Sequence, residues 1–382
     1  MNGRASSPSP RAVYLDWNAT APPHPDVLSA MARAAESGWA NPSSVHAFGR
    51  RARAIVEETR EEVARLAGRD ARDVVFTSGG TEANNLALAG APAIVTSRVE
   101  HPSVVRFAEA AEERGLHVVW LAVDANGLVG PGHIEAALAA LPPGSVVAVS
   151  AVNHETGVIA PLREIEAVTE RAGARLHVDA VQAAGRIPAV LWHFGTSLSI
   201  ASHKLRGPKA VGALVTRPGH APSPVLRGGS QERGLRPGTV DAVALAGFRV
   251  AAERAARGPE RYARLEPERD RMERALFGAA ARVNGSGAAR APHVSNLSFH
   301  GFRGDELAAA LDLEGVSVSS GSACSAGTTE PSPVIQAMLG VERARSALRV
   351  SLGEETSTAD VDRLLEVLPR LLRRAETRSC AG

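Results

Sequence analysis

Residues 73–97 read DVVFTSGGTEANNLALAGAPAIVTS. Val74, Val75 and Phe76 make an apolar, β-branched run that is too short for a helix and suits a buried strand. Ser78-Gly79-Gly80-Thr81 interrupts it, a helical stretch follows over 82–90, and AIVTS (93–97) is a second strand. A strand, a glycine turn, a helix and a strand form the repeating unit of a parallel sheet.

The same alternation continues outward. HVVWLAV (117–123), SVVAVSAV (145–152), RLHVDAV (175–181), SLSIAS (197–202) and VGALVT (211–216) read as further strands, with helices over 102–114, 132–140 and 162–172. Near-continuous apolar strands predict an α/β fold with a mainly parallel seven-stranded sheet covered on both faces. HKLRGPKA (203–210) is too short for a crossover helix, so the last two strands pair antiparallel. Upstream, 41–68 carries a helical pattern through Ala52, Ile55, Val56, Val63, Leu66 and Ala67, opening after NPSS. Downstream, 240–283 reads as one long Ala-, Arg- and Glu-rich helical region with a solvated face, able to join two domains. HVSNLSF, VSVSS and ALRVSLG, with helices over 304–313 and 360–374, read as a smaller α+β domain.

The 382 residues suit two domains, and 44% hydrophobic with 22% charged residues describe an ordinary globular chain. A net charge of +2, with arginines interspersed among acids, argues against nucleic acid as the main partner. No apolar run reaches the roughly 18 residues that span a bilayer. MNGRASSPSPR lacks the apolar core of a signal peptide and reads as part of a disordered leader over 1–12. With only two cysteines there is no disulfide framework, and the expected setting is a reducing cytoplasm.

Ligands of open α/β sheets bind beyond the carboxyl ends of the strands. There the sequence places the Ser78–Thr81 turn at a helix start, a ready anion site; it is neither a Walker A loop nor a GxGxxG fingerprint. His101 follows the next strand, and Asn153, His154, Glu155 and Thr156 follow another. Asp179 and Gln182 follow a third, and Ser202, His203 and Lys204 a fourth. A lysine, an aspartate and an anion pocket on one rim suggest pyridoxal phosphate: the aldehyde needs an amine, the pyridine nitrogen a carboxylate, the phosphate helix-end donors. Zinc is the weaker alternative, since neither histidines nor cysteines have ligand spacing. A Ser-His-Asp hydrolase is weaker still without a GxSxG elbow.

Cys324 stands in SVSSGSACSAGTTEPSP (317–333), where almost nothing apolar surrounds it. Structural cysteines are usually buried, whereas glycine- and proline-punctuated loops carry functional residues, so Cys324 is a candidate reactive thiol. Cys380 reads as an incidental tail thiol.

Ten segments in collinear order carry a resemblance: YLDWNATAPPHP, NPSSVHAFGR, FTSGGTEANNLAL, EHPSV, VNHETGVI, HVDAVQ, SHKLRGPKAVG, GGSQERGLRPGT, SSGSACS and LRVSLG. Together, over about residues 13–370, they resemble the cysteine desulfurases of the class-V aminotransferase family, which have the fold-type I pyridoxal-phosphate architecture. The resemblance implies that Lys204 bonds the cofactor aldehyde and shuttles protons. It implies that Asp179 pairs with the pyridinium nitrogen, Gln182 donates to the ring hydroxyl and His101 stacks on the ring. Gly80, Thr81, Ser202 and His203 are implied as the phosphate cup. Thr239 is implied to reach the phosphate of a neighbouring subunit, and with it a homodimer. The resemblance likewise implies that Asn153 and Arg349 hold the substrate carboxylate and that Cys324 takes sulfur from L-cysteine as a persulfide, leaving alanine. DWNATAPP departs from the commonest family form at Trp17, Asn18 and Ala21, and His154 and Thr156 flank the matched Asn153.

SSGSAC resembles the first desulfurase group, with an extended cysteine loop. The implied division is a large cofactor-binding domain over 13–255, with 13–35 a candidate to pack on the small domain. A small domain with the cysteine loop covers 256–376, and 377–382 is a tail too short to dock a sulfur acceptor. Implied partners are L-cysteine and a transiently docked acceptor protein for iron–sulfur assembly or tRNA thiolation, with no membrane and no direct nucleic-acid contact. A selenocysteine lyase, another class-V lyase or aminotransferase, and a non-enzymatic sulfur relay are the alternatives.

Overall fold

The computed structural model of the chain describes residues 12–277, 281–321 and 330–379. Its strands are β1 (Val13–Tyr14), β2 (Val74–Thr77), β3 (Ala93–Ser97), β4 (His117–Leu121), β5 (Val146–Ser150) and β6 (Arg175–Asp179). They continue with β7 (Ser197–Ala201), β8 (Gly212–Thr216), β9 (Ala281–Val283), β10 (Val294–Phe299), β11 (Val316–Ser317) and β12 (Ala347–Ser351). The helices are α1 (Pro25–Ser37), α2 (Ala47–Ala67), α3 (Gly80–Leu88), α4 (Pro102–Glu112), α5 (Pro131–Leu138), α6 (Leu162–Arg171) and α7 (Ala242–Ala255). After these come α8 (Gly258–Ala263), α9 (Glu266–Phe277), α10 (Gly304–Leu313), α11 (Pro333–Leu339), α12 (Val341–Arg345) and α13 (Thr358–Ser379).

The short apolar runs form the seven-stranded sheet in the order β2-β8-β7-β6-β5-β3-β4. Strands β2, β3 and β5 to β8 are buried on both faces, as near-continuous apolar sequences require, and the edge strand β4 is only partly covered. Neighbours from β4 to β7 are parallel, and β8 runs antiparallel to β7 and β2. The expected antiparallel pairing across 203–210 is therefore present. The chain leaves β3 for β4 on one side and returns past it to β5 on the other. Loops leaving β3 and β5 thus diverge, which opens a crevice at the carboxyl ends of the strands.

The 240–283 stretch is not one solvated helix. It divides into α7, α8, α9 and then β9, a strand the helical reading missed. On α7, Leu245, Phe248, Ala251 and Ala252 are buried, and the Phe248 ring meets Phe76 edge-on at 6.5 Å. Alanines let this helix lie close against α1 and α2, so small residues that look neutral in composition are core residues here.

A second apolar core joins Leu297 and Phe299 of β10 with Leu348 and Val350 of β12, Met272 of α9, Leu311 of α10 and Leu364 of α13. β9, β10 and β12 form its antiparallel sheet. Of the VSVSS stretch, Val316–Ser317 forms β11 and pairs parallel with β1, while Ser319 makes a single antiparallel bridge to Arg349 of β12. Val13 and Leu15 are buried in this second core.

Candidate active site

The crevice contains a cavity of about 210 Å³. Gly80, Thr81, His101, Asp179, Gln182, His203 and Lys204 all line it, gathered from four strand ends, those of β2, β3, β6 and β7. Parallel register makes this possible: Ser150 at the end of β5 sits opposite Asp179 at the end of β6.

At one end, β2 stops and α3 begins with Gly79 as N-cap and no side chain capping its amides. Unsatisfied N–H groups and the helix dipole favour an anion there. A Cβ on Gly80 would lie 2.7 Å from Val181 Cγ2, so this close approach requires glycine. Ser202 is fully buried and its hydroxyl has no hydrogen-bond partner among the described residues. A Cβ on Gly207 would lie 2.0 Å from that oxygen, so Gly207 leaves the hydroxyl its room. His203 Nδ1 lies 3.1 Å from Thr20 Oγ1, and burial, helped by the Lys204 charge, pushes its pKa down to about 3.

Asp179 is buried at the floor. Its Oδ2 accepts from Asn84 Nδ2 at 2.7 Å and its Oδ1 from the Val181 N–H at 3.0 Å. Asn84 Nδ2 also donates to Ser103 Oγ, which orients the amide and leaves its Oδ1 to meet His177 Nε2 at 2.9 Å. His177 therefore carries its proton on Nε2, and its Nδ1 accepts a hydrogen bond from the Ser197 hydroxyl at 2.9 Å. Burial lowers the His177 pKa to about 4 and keeps the ring neutral.

His101 caps α4: its Nδ1 accepts from the Ser103 N–H at 3.2 Å, placing the neutral ring's proton on Nε2. Burial lowers its pKa, while Asp179 pulls the other way. Lys204 leaves β7 on a 3₁₀ turn, Ser202–Leu205, and donates to the carbonyls of Asn18 and Ala19. Gln182 Nε2 donates to the Asn18 carbonyl at 3.1 Å.

Three residues lie apart from this cluster. Thr239 is exposed and outside the cavity lining. Asn153 is turned into its own loop: its Oδ1 accepts from the Glu155 and Thr156 N–H groups, and its Nδ2 donates to the Val99 carbonyl. The side chain that lines the cavity from this loop is that of its neighbour, His154. Arg349, 2% exposed, donates to Asp16 Oδ1 at 2.7 Å and to the His154 carbonyl at 3.1 Å. Cys324 and Cys380 lie outside the described residues. Beyond the cysteine segment, Ser332 caps α11 and donates to the buried Glu155 at 2.5 Å.

The family model described as aminotransferase class-V matches residues 13–364. A cysteine desulfurase IscS of Dictyoglomus turgidum is 37% identical over 96% of each chain. The chain belongs to the class-V aminotransferases, among the cysteine desulfurases. A NifS-like protein of Rickettsia africae superposes on this desulfurase chain with a TM-score of 0.86 at 28% identity, covering 94% of this chain and 99% of that one. The structure of SspA in complex with cysteine does so with a TM-score of 0.76 at 28% identity, covering 90% and 100%.

In this class-V site, reading the sequence alone overlooked Asn84 and Arg186, and noted Asn18 only as a departure from the commonest family form. Arg186 is buried and donates to Asn18 Oδ1, the Trp17 carbonyl and the Lys204 carbonyl, so it fixes the turn that carries the lysine. Asn84 had a visible signal: it lies four residues after Gly80, one helical turn in, on the face that begins at the glycine turn.

Proposed function

We propose that this chain is a pyridoxal-phosphate-dependent cysteine desulfurase that converts L-cysteine to L-alanine and an enzyme persulfide on Cys324. The observation that carries the reading is the convergence of Lys204, Asp179 and His101 on one cavity, beside the uncapped start of α3. These residues fit the cofactor. The unpartnered Ser202 hydroxyl and the free helix amides suit a phosphate, a buried carboxylate suits a pyridine nitrogen, and an amine reaches into the same space.

Bound there, pyridoxal phosphate supplies an aldehyde that captures amino groups and a ring that draws electrons from Cα. Asp179 would keep a proton on the ring nitrogen, Gln182 would donate to the ring hydroxyl, and His101 would cover the ring. Gly80, Thr81, Ser202 and His203 would hold the phosphate, with Thr239 supplied to it from the partner subunit of a homodimer. Arg349 binds the substrate carboxylate as a guanidinium fork. Asn153 fixes the loop beside it. Lys204 removes the Cα proton and returns protons to the product. The Cys324 thiolate attacks the substrate sulfur: an S–S bond forms as the C–S bond breaks, the electron pair passes to the substrate carbon, and protonation there yields alanine.

We assign 13–255 to the large domain and 256–376 to the small one, a division supported by the two separate apolar cores. Among the described residues no helix is long and apolar enough to cross a membrane. We place the enzyme in the cytoplasm, passing sulfur to a transiently docked acceptor for iron–sulfur assembly or thiolation.

A single turnover with L-cysteine in the absence of reductant tests the reading. One alanine per site and one added sulfur atom on the Cys324 peptide are expected. Cys324→Ala should keep the yellow cofactor and lose the persulfide, and Lys204→Ala should lose turnover. Alanine formation undiminished in Lys204→Ala would sink the assignment.

A further inference from the structure

Two residues past Lys204 the backbone takes a disfavoured conformation. Arg206 closes the 3₁₀ turn Ser202–Leu205, its N–H bonded to the Ser202 carbonyl, at φ 65° and ψ 22°. Glycine adopts this left-handed region freely and arginine seldom does. A non-glycine residue persists there only where its surroundings over-determine it, and such positions gather at functional sites.

The Arg206 side chain is buried, and it meets two parts of the chain. In the loop after β12 it pairs with Glu354 at 3.5 Å and with Glu355. Glu354 also faces Arg254 of α7 at 3.6 Å and Arg261 of α8 at 3.1 Å, so one carboxylate gathers three arginines. In the segment before α1, Arg206 Nε donates to the Pro22 carbonyl at 3.1 Å, and the guanidinium lies 5.6 Å from the centroid of the Trp17 ring. Gly353 packs on that ring too: a Cβ there would lie 1.8 Å from Trp17 Cδ2. The residues after Trp17, Asn18 and Ala19, supply the carbonyls that accept from Lys204 Nζ. Arg206 therefore ties the turn that bears the lysine to the segment that receives its amine.

We propose that Arg206, held by Glu354, is a positioning residue that aims the Lys204 amine at the cofactor aldehyde. The inference rests on the cofactor part of the reading above. Glu354 supplies the counter-charge that a buried guanidinium requires, and these contacts offset the disfavoured backbone. Ser202 opens the same turn, so a shift of the whole turn would weaken phosphate binding as well. The aim of the amine is separable from that effect, because only an aldehyde bonds it.

The test compares two ligands that share the ring and the phosphate. Pyridoxal phosphate has an aldehyde that can bond the lysine, and pyridoxamine phosphate has none. Equilibrium dialysis of the cofactor-free, full-length chain gives a dissociation constant for each. Arg206→Gly suits the left-handed backbone and removes only the side chain. In it the ratio of the pyridoxamine phosphate constant to the pyridoxal phosphate constant should fall about tenfold, equivalent to about 1.4 kcal/mol. Glu354→Gln should lower the ratio in the same direction, and Arg206→Lys, which keeps a cation facing Glu354, should recover part of the loss. A merely structural role would raise both constants together, so an unchanged ratio in Arg206→Gly overturns the proposal. Should that variant not fold, Glu354→Gln is read by the same criterion. An unaltered chain with a ratio near one would sink the cofactor reading itself, because Lys204 would then contribute no bond. A high ratio that neither substitution lowers leaves that reading standing and removes this inference alone.

Discussion

Asp16 and Arg349, 333 residues apart in the chain, meet in an ion pair of 2.7 Å in which the arginine side chain is 2% exposed. The carboxylate neutralises a buried cation and occupies one arm of its fork, and the His154 carbonyl takes another. Asp16→Ala leaves that cation unpaired and should cost roughly 3–5 kcal/mol of stability. Asp16→Asn, which keeps an acceptor, should lose less. Urea midpoints of the two variants check the order, and equal midpoints would count against the pairing.

The same physics acts at Glu232, whose carboxylate pairs with Arg60 at 2.7 and 2.8 Å and also accepts from the Phe76 N–H. Glu232 and Arg233 sit at φ 47° and 58°, a left-handed conformation that non-glycine residues seldom adopt. The ion pair holds that bend against β2. Glu232→Ala should cost roughly 3–5 kcal/mol. In a double-mutant cycle with Arg60→Met, the second substitution should cost much less than the first, and simple additivity would refute the coupling.

Asn84 touches both Asp179 and His177, so replacing it strands a carboxylate oxygen and an imidazole N–H together. A hydrogen bond to a charged group contributes about 1.5–3 kcal/mol. Asn84→Leu should therefore weaken cofactor retention by tenfold or more, although the side chain at position 84 is itself uncharged. Equilibrium dialysis followed at the cofactor's visible band measures it, and retention at the unaltered level would show that Asp179 orients without Asn84.

Glu100 gives the pH dependence. Burial pushes its pKa up to about 7 from an ordinary 4.5, despite hydrogen bonds from Ser97 and Ser150 that favour the anion. Between those values the folded state holds a proton that the unfolded state has released. Glu100 thus contributes stability that is full below about pH 4.5 and lost as pH rises through about 7, an amount of roughly 3 kcal/mol. Relative to Glu100→Gln, the unaltered protein should lose stability across that window and run parallel above it. Parallel curves throughout would mean that Glu100 is ionised in the fold.

The strands were legible because the central strands of the sheet are buried on both faces, so the runs between Val74 and Thr216 are rich in apolar, β-branched residues. α7 was not legible. Its alanines serve a core as well as they serve a solvated helix, and only contact with α1 and α2 separates the two cases. β9 is three residues long, too short for a period to register against the helical composition before it. At the site, Lys204, Asp179 and His101 were visible as strand-end residues. Asn84 and Arg186 read as ordinary polar positions, because their partners lie on other elements.

By itself, the sequence determined the alternation of strands and helices, the glycine turn that opens α3 and the lysine leaving β7 on a short turn. Each of these is a local matter of side-chain period and backbone freedom. Only the tertiary structure decided that the order β2-β8-β7-β6-β5-β3-β4 gathers those strand ends around one cavity, that Asn153 faces its own loop, and that His154 faces the cavity. The physical reason is that a buried polar group is satisfied by whichever partner the packing delivers, and that partner is chosen by long-range contacts that no local pattern encodes.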